Sequence, residues 1–154
     1  MNIVLTENQF NINNIYFGEP IQNTVMENSK FIKILYSTED IILNGIQYLL
    51  TFKNITKELY FKKIKISYDV NTHSTMIEKM DFIEKSILEK HVCNKSPKRI
   101  LASLFKEGFI KLFPNSEDDV TSNSNNIIHH FILKISGVWE NAYEYGITYK
   151  ITFI

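Results

Sequence analysis

The chain has 154 residues, 17 Lys plus Arg against 17 Asp plus Glu, and 44% hydrophobic residues. A chain of this length buries roughly two-thirds or more of the surface its unfolded form exposes, so one domain holds its own core without metal or disulfide staples. Zero net charge weighs against a strongly basic protein that coats nucleic acid non-specifically, although it leaves room for a local basic face.

Residues 1–20 are Asn-rich and irregular and read as an N-terminal arm or a short edge strand. Lys30 to Ser37 is the first firm strand, with β-branched and aromatic residues in alternation. Asn44-Gly45 between Ile41-Ile42-Leu43 and Ile46 to Phe52 predicts a hairpin. Leu59 to Tyr68 is the third strand.

The period then changes from two to 3.6. Thr75 with Glu78 fits a capping box, and Met76, Met80, Ile83 and Ile87 form the apolar stripe of a helix ending near His91, with Glu78, Lys79, Glu84, Lys85 and Glu89 on other faces. A shorter helix follows, with Ser96 as N-cap, Pro97 at the first position, Ile100, Leu101, Leu104 and Phe105 as its apolar face, and Gly108 as its stop. Phe109 to Phe113 returns to strand, residues 114–126 form a mobile acidic loop, and strands at Ile127 to Ser136 and Gly146 to Ile154 close the chain.

Three strands, a helical insertion and further strands describe a mainly β, α+β domain. The order matches an OB-fold-like five-stranded barrel with one or two helices between the third and fourth strands. Alternation assigns the faces. Ile32, Ile34 and Tyr36 point inward in the first strand, as do Tyr60, Ile64, Ile66 and Tyr68 in the third and Ile147, Tyr149, Ile151 and Phe153 in the last. The outward set interleaves rings with lysines: Phe31, Lys33, Phe61, Lys63, Lys65 and Lys150, joined by Lys134. Such a surface suits single-stranded nucleic acid, because bases stack on rings for ~1–3 kcal/mol each while lysines follow the phosphates. The same alternation also arises in any one-faced sheet. Trp139, placed at a Gly-flanked turn beside Tyr143 and Tyr145, either stacks on a base or plugs the barrel end.

Two blocks carry a resemblance. Phe131-Ile132-Leu133-Lys134-Ile135-Ser136-Gly137-Val138-Trp139-Glu140, followed by Tyr145-Gly146-Ile147-Thr148-Tyr149-Lys150, resembles the ending of podophage-type single-stranded-DNA-binding proteins of large nucleocytoplasmic DNA viruses. Ile42-Leu43-Asn44-Gly45-Ile46 is similar to the same group. The resemblance implies an OB-fold that protects single-stranded DNA in viral replication or recombination, often as a homodimer, with replication proteins as further partners. Phage members carry an acidic tail with a terminal aromatic, where this sequence has Phe153-Ile154; Glu117-Asp118-Asp119 is the acidic segment that would substitute for it.

Other constellations point away from chemistry. The adjacent His129 and His130 face opposite sides of a strand and cannot share a metal. His91 and Cys93 offer two ligands without a second pair at zinc spacing, so no metal, cofactor or catalytic residue is expected. No phosphate loop, nucleophile elbow or zinc-protease helix motif is present. Ser96, Lys98 and Arg99 at a helix start form an anion-binding candidate. Lone Cys93, the lack of an ~18-residue apolar run and the unlike N-terminus together predict an intracellular protein, in host cytoplasm or nucleus if viral, with no membrane contact. The expectation is thus a non-enzymatic single-stranded-DNA-binding protein; the alternative is a viral structural or protein-interaction module whose exposed face binds a partner chain.

Overall fold

A computed structural model describes residues 3–6, 8–117, 119 and 128–154. The fold is mainly β with one long helix. Its strands are β1 (Ile15–Phe17), β2 (Ile21–Gln22), β3 (Lys30–Ser37), β4 (Ile42–Asn44), β5 (Ile46–Lys53), β6 (Thr56–Tyr60), β7 (Lys63–Ser67), β8 (Ser96–Pro97), β9 (Phe109–Leu112), β10 (Ile128–Glu140) and β11 (Glu144–Phe153). The helices that pack against the core are α1 (Ser74–Lys90) and α2 (Leu101–Lys106). None of the described helices is long and apolar enough to cross a membrane.

β10 is the spine of a curled sheet. β11 pairs antiparallel along one edge, while the other edge is shared: β5 pairs with residues 128–135 and β3 with residues 137–140. A bulge between Ile135 and Gly137 marks the changeover. There Asn44-Gly45 departs from the predicted hairpin. β4 pairs with β3 and β5 with β10, so Gly45 is the bend at which one strand changes partners; the reversal itself lies at residues 38–41, where Thr38 N–H donates to Ile41 O at 2.9 Å. Gly45 has φ +79°, and a Cβ on it would stand 2.7 Å from Ile135 O. Gly137 is tighter still, with a Cβ position 2.4 Å from Ile32 O and 2.5 Å from the Phe31 ring.

The third predicted strand is really a hairpin. β6 and β7 pair with each other around Phe61-Lys62, and β9 joins β7, making a separate three-stranded sheet β6-β7-β9. In the N-terminal arm β1 pairs with β3, and Leu5 bridges to Tyr48 of β5. Most of the predicted acidic loop, Asp118 and residues 120–126, and Ile127 at the predicted strand start lie outside the described residues.

The core lies between the concave sheet and α1. Ile32, Ile34, Tyr36, Tyr48, Leu50, Leu133, Ile135 and Ile147 meet Ile77, Met80, Ile83, Ile87 and Leu88 there. Inward alternation holds for β3, β7 and the start of β11, but Tyr60 is exposed and Tyr149 and Ile151 are half-buried. The helix does not start with a Thr75–Glu78 box. His73 stands at its cap position, after a turn held by Asp69, whose Oδ2 accepts from Thr72 N–H at 2.8 Å and Thr72 O–H at 2.6 Å. His73 links two elements: Nε2 accepts from Lys53 N–H at 2.9 Å, so Nδ1 carries the proton donated to Asp69 O at 2.7 Å.

Glu84 belongs to the buried face of α1, not to its surface. Its Oε1 accepts from Ile100 N–H at 2.9 Å and Leu101 N–H at 3.1 Å, so a side chain 16 residues upstream caps α2. Ser96 and Pro97 are therefore not a helix start; they form β8, parallel to the first residues of β11. Gly108, at φ +82°, stops the helix as predicted.

Two stability outcomes follow from these contacts. Gly137→Ala should lower stability by about 2 kcal/mol in urea unfolding, because backbone on β3 cannot make way for the methyl group. Glu84→Ala should cost about 2 kcal/mol or more by leaving two amides unpaired, whereas Glu84→Gln keeps the acceptor and costs less. Burial holds the Glu84 carboxyl above its ordinary range, against the two backbone hydrogen bonds and Arg99. Its contribution is then complete below the unfolded carboxyl pKa and is lost as pH rises through the higher folded value. The stability of wild type relative to Glu84→Gln should accordingly decline as pH rises from about 4 toward neutral.

Candidate nucleic-acid interface

The outward residues of the sequence reading fall on two surfaces. Phe61, Lys63 and Lys65 belong to the small sheet, while Phe31, Lys33, Lys134, Trp139 and Lys150 lie on the convex side of the large one.

On the small sheet, the inner residues Ile64, Ile66, Ile110 and Leu112 enter the core. Antiparallel register puts Tyr60 beside Lys63, Lys65 beside Lys111 and Ser67 beside Phe109 on the opposite face. Phe113 continues that face beyond the end of β9. Exposure is high for Phe61 (86%), Phe113 (65%) and Tyr60 (42%). With Lys62, Lys63 and Lys111 these rings line one broad, shallow apolar basin.

Lysines lie over the rings. Lys111 Nζ is 3.9 Å from the Tyr60 centroid, Lys65 Nζ 4.6 Å from that of Phe109, and Lys63 Nζ 4.9 Å from that of Phe113. Exposed cation–π pairs contribute ~0.5–1 kcal/mol, less than the ~1–3 kcal/mol of a base stacked on a ring.

Phe61 has φ +55°, a left-handed conformation that disfavours a bulky side chain. Among the described residues the other non-glycine positions at positive φ are Asn28 and Asn54, the type that tolerates this region. The turn thus holds a large ring in solvent at a conformational cost. Tyr60 packs edge-on to it at 5.0 Å.

The convex face of the large sheet is less coherent. Trp139 is not at a turn but inside β10, opposite Phe31 and Gly146, half-buried with its ring across Gly146: a Cβ there would be 2.8 Å from Cζ2. Lys134 and Lys150 stand directly opposite each other, two like charges side by side. Phe31 borders a recess of about 300 Å³ with Ile21, Val25 and Met26. Of the anion candidates, Arg99 is paired with Asp81, Lys98 and Ser96 are exposed, and the helix start they were assigned to is occupied by Glu84.

Elsewhere, Glu140 approaches His91 and Cys93, which spacing in sequence could not reveal. The Lys95 hydrogen bond, opposed by burial and aided by His91, holds the Glu140 carboxyl below its ordinary range. Tyr60, Phe109, Lys111 and Phe113 were also missed as site residues; the alternation Phe109-x-Lys111-x-Phe113 was the available signal. No protein-family model, curated protein or solved structure matches the chain.

Phe61→Gly should raise stability by about 1 kcal/mol in urea unfolding, since glycine adopts this backbone freely and the lost ring is almost wholly solvated.

Proposed function

We propose that the chain binds single-stranded nucleic acid, DNA foremost, on the outer face of the β6-β7-β9 sheet. The observation that supports this most is the exposed Phe61 ring held at positive φ beside Tyr60 and Phe113, with Lys63, Lys65 and Lys111 among the rings. Conformational cost concentrated on a solvated aromatic suits a stacking platform. The curled sheet with a helix inserted between its strands is in keeping with an OB-type barrel, although the small sheet stands apart from it. A role in viral replication or recombination rests on the resemblance of the Phe131 to Glu140 and Tyr145 to Lys150 blocks.

A second reading, a protein-interaction module, draws on the recess beside Phe31, where Val25 is 90% exposed. Salt separates the two. Fluorescence anisotropy of a labelled ~30-nucleotide oligothymidylate should show binding that duplex DNA fails to displace. Each of Lys63→Ala, Lys65→Ala and Lys111→Ala should flatten the slope of log affinity against log salt by ~0.7. Phe61→Ala and Phe113→Ala should each weaken binding by about 1–3 kcal/mol. Absence of salt-sensitive binding at micromolar protein contradicts the proposal.

A further inference from the structure

We propose that His91, Cys93 and Glu140 form a site for a zinc-like divalent ion that ties the end of α1 to the end of β10. The three donors come from separate parts of the chain. His91 caps the C-terminus of α1, its N–H donating to Ile87 O, and Cys93 follows in the segment leading to β8. Glu140 is the last residue of β10, set in register with Lys30 and Tyr145.

One ring nitrogen of His91, the Cys93 sulfur and one Glu140 oxygen all lie within 4.8 Å of one another. His91 Nε2 stands 3.2 Å from Glu140 Oε2. Two nitrogen or oxygen ligands on a tetrahedral zinc are about 3.3 Å apart, so this pair already has ligand spacing, and a modest closure of the Cys93 side chain completes the set. His91 and Glu140 are sheltered but reachable, with side chains 14% and 18% exposed. The rings of Phe17 and Tyr145, at 5.3 and 5.6 Å, hold the imidazole in place. The carbonyl end of α1 adds a partial negative charge.

The donor chemistry narrows the ion. Nitrogen, thiolate and carboxylate together suit zinc, whereas magnesium and calcium take oxygen ligands throughout. Three protein ligands leave a fourth position for water. As the zinc–sulfur bond forms, the Cys93 S–H bond breaks and its proton passes to solvent; the zinc–nitrogen bond likewise replaces the Nε2–H bond that faces Glu140 Oε2, and the ring proton then resides on Nδ1. One group opposes the ion: Lys95 Nζ lies 2.5 Å from Glu140 Oε1. It holds the oxygen turned away from His91, so Oε2 is left for the metal, but its charge repels the ion.

The test uses the whole 154-residue chain without a tag, reduced and stripped with chelator, titrated with zinc by calorimetry and with cobalt by absorption. One zinc per chain and a thiolate-to-cobalt charge-transfer band are expected. Cys93→Ser should abolish that band, and Cys93→Ser and Glu140→Gln should each weaken zinc binding at least about tenfold. Lys95→Met should tighten it, an effect that a misfolded variant cannot mimic, and Phe61→Ala should leave it unchanged. Failure of the wild-type chain to bind zinc stoichiometrically, a cobalt complex without the thiolate band, or full affinity in Cys93→Ser would each overturn the proposal.

Discussion

Backbone hydrogen bonding along both edges of β10 is the constraint on which the other elements depend. β11 accompanies the strand on one side, while β5 and then β3 take the other, with the bulge at Ser136 between them. Two partners can share one edge only if backbones approach closely at the junction. Gly45 and Gly137 allow this, since a side chain at either would sit under 3 Å from a carbonyl oxygen. The sheet then curls around α1, and its concave side becomes the core.

That arrangement leaves the β6-β7-β9 sheet with an unusual freedom. Only its inner face helps to close the core, through Ile64, Ile66, Ile110 and Leu112, so its outer face is released from packing. Rings gather there with Lys63, Lys65 and Lys111, and Glu58 stands beside Lys65, in a chain of zero net charge. A local excess of lysines exerts its field over a Debye length of ~10 Å without a strongly basic protein. The convex face of the large sheet differs in kind: Trp139 is half-covered across Gly146, and Lys134 opposes Lys150 without an aromatic between them.

Much of the fold was legible in the sequence because period and composition report burial directly. The inward set Ile32, Ile34 and Tyr36, the stripe from Met80 to Ile87, and the stop at Gly108 all follow from local rules. The errors share a cause, which is that tertiary partners override local signals. Asn44-Gly45 has hairpin chemistry, yet β5 pairs with β10 and β4 with β3. Ser96-Pro97 has cap chemistry, yet the buried Glu84 carboxylate supplies the cap to α2 from another helix. Phe61-Lys62 lacks the Gly or Asn of a tight turn, so the hairpin was hidden and Tyr60 was assigned to the core. Lys63 and Lys65 were still placed outward, because alternation restarts correctly at β7. Lys111 and Phe113 were within reach of the same reasoning, whereas Glu140 beside His91 and Cys93 needed the fold.

The most direct measurement of the central claim is a backbone amide NMR titration of the isotopically labelled chain with oligothymidylate. The expected result is a set of shifts confined to the β6-β7 turn, β7 and β9, with Phe61, Lys63, Lys65, Lys111 and Phe113 at its centre. Shifts clustered instead around Phe31, Val25 and Trp139, or no shifts at all, would contradict the assignment of the small sheet as the binding surface.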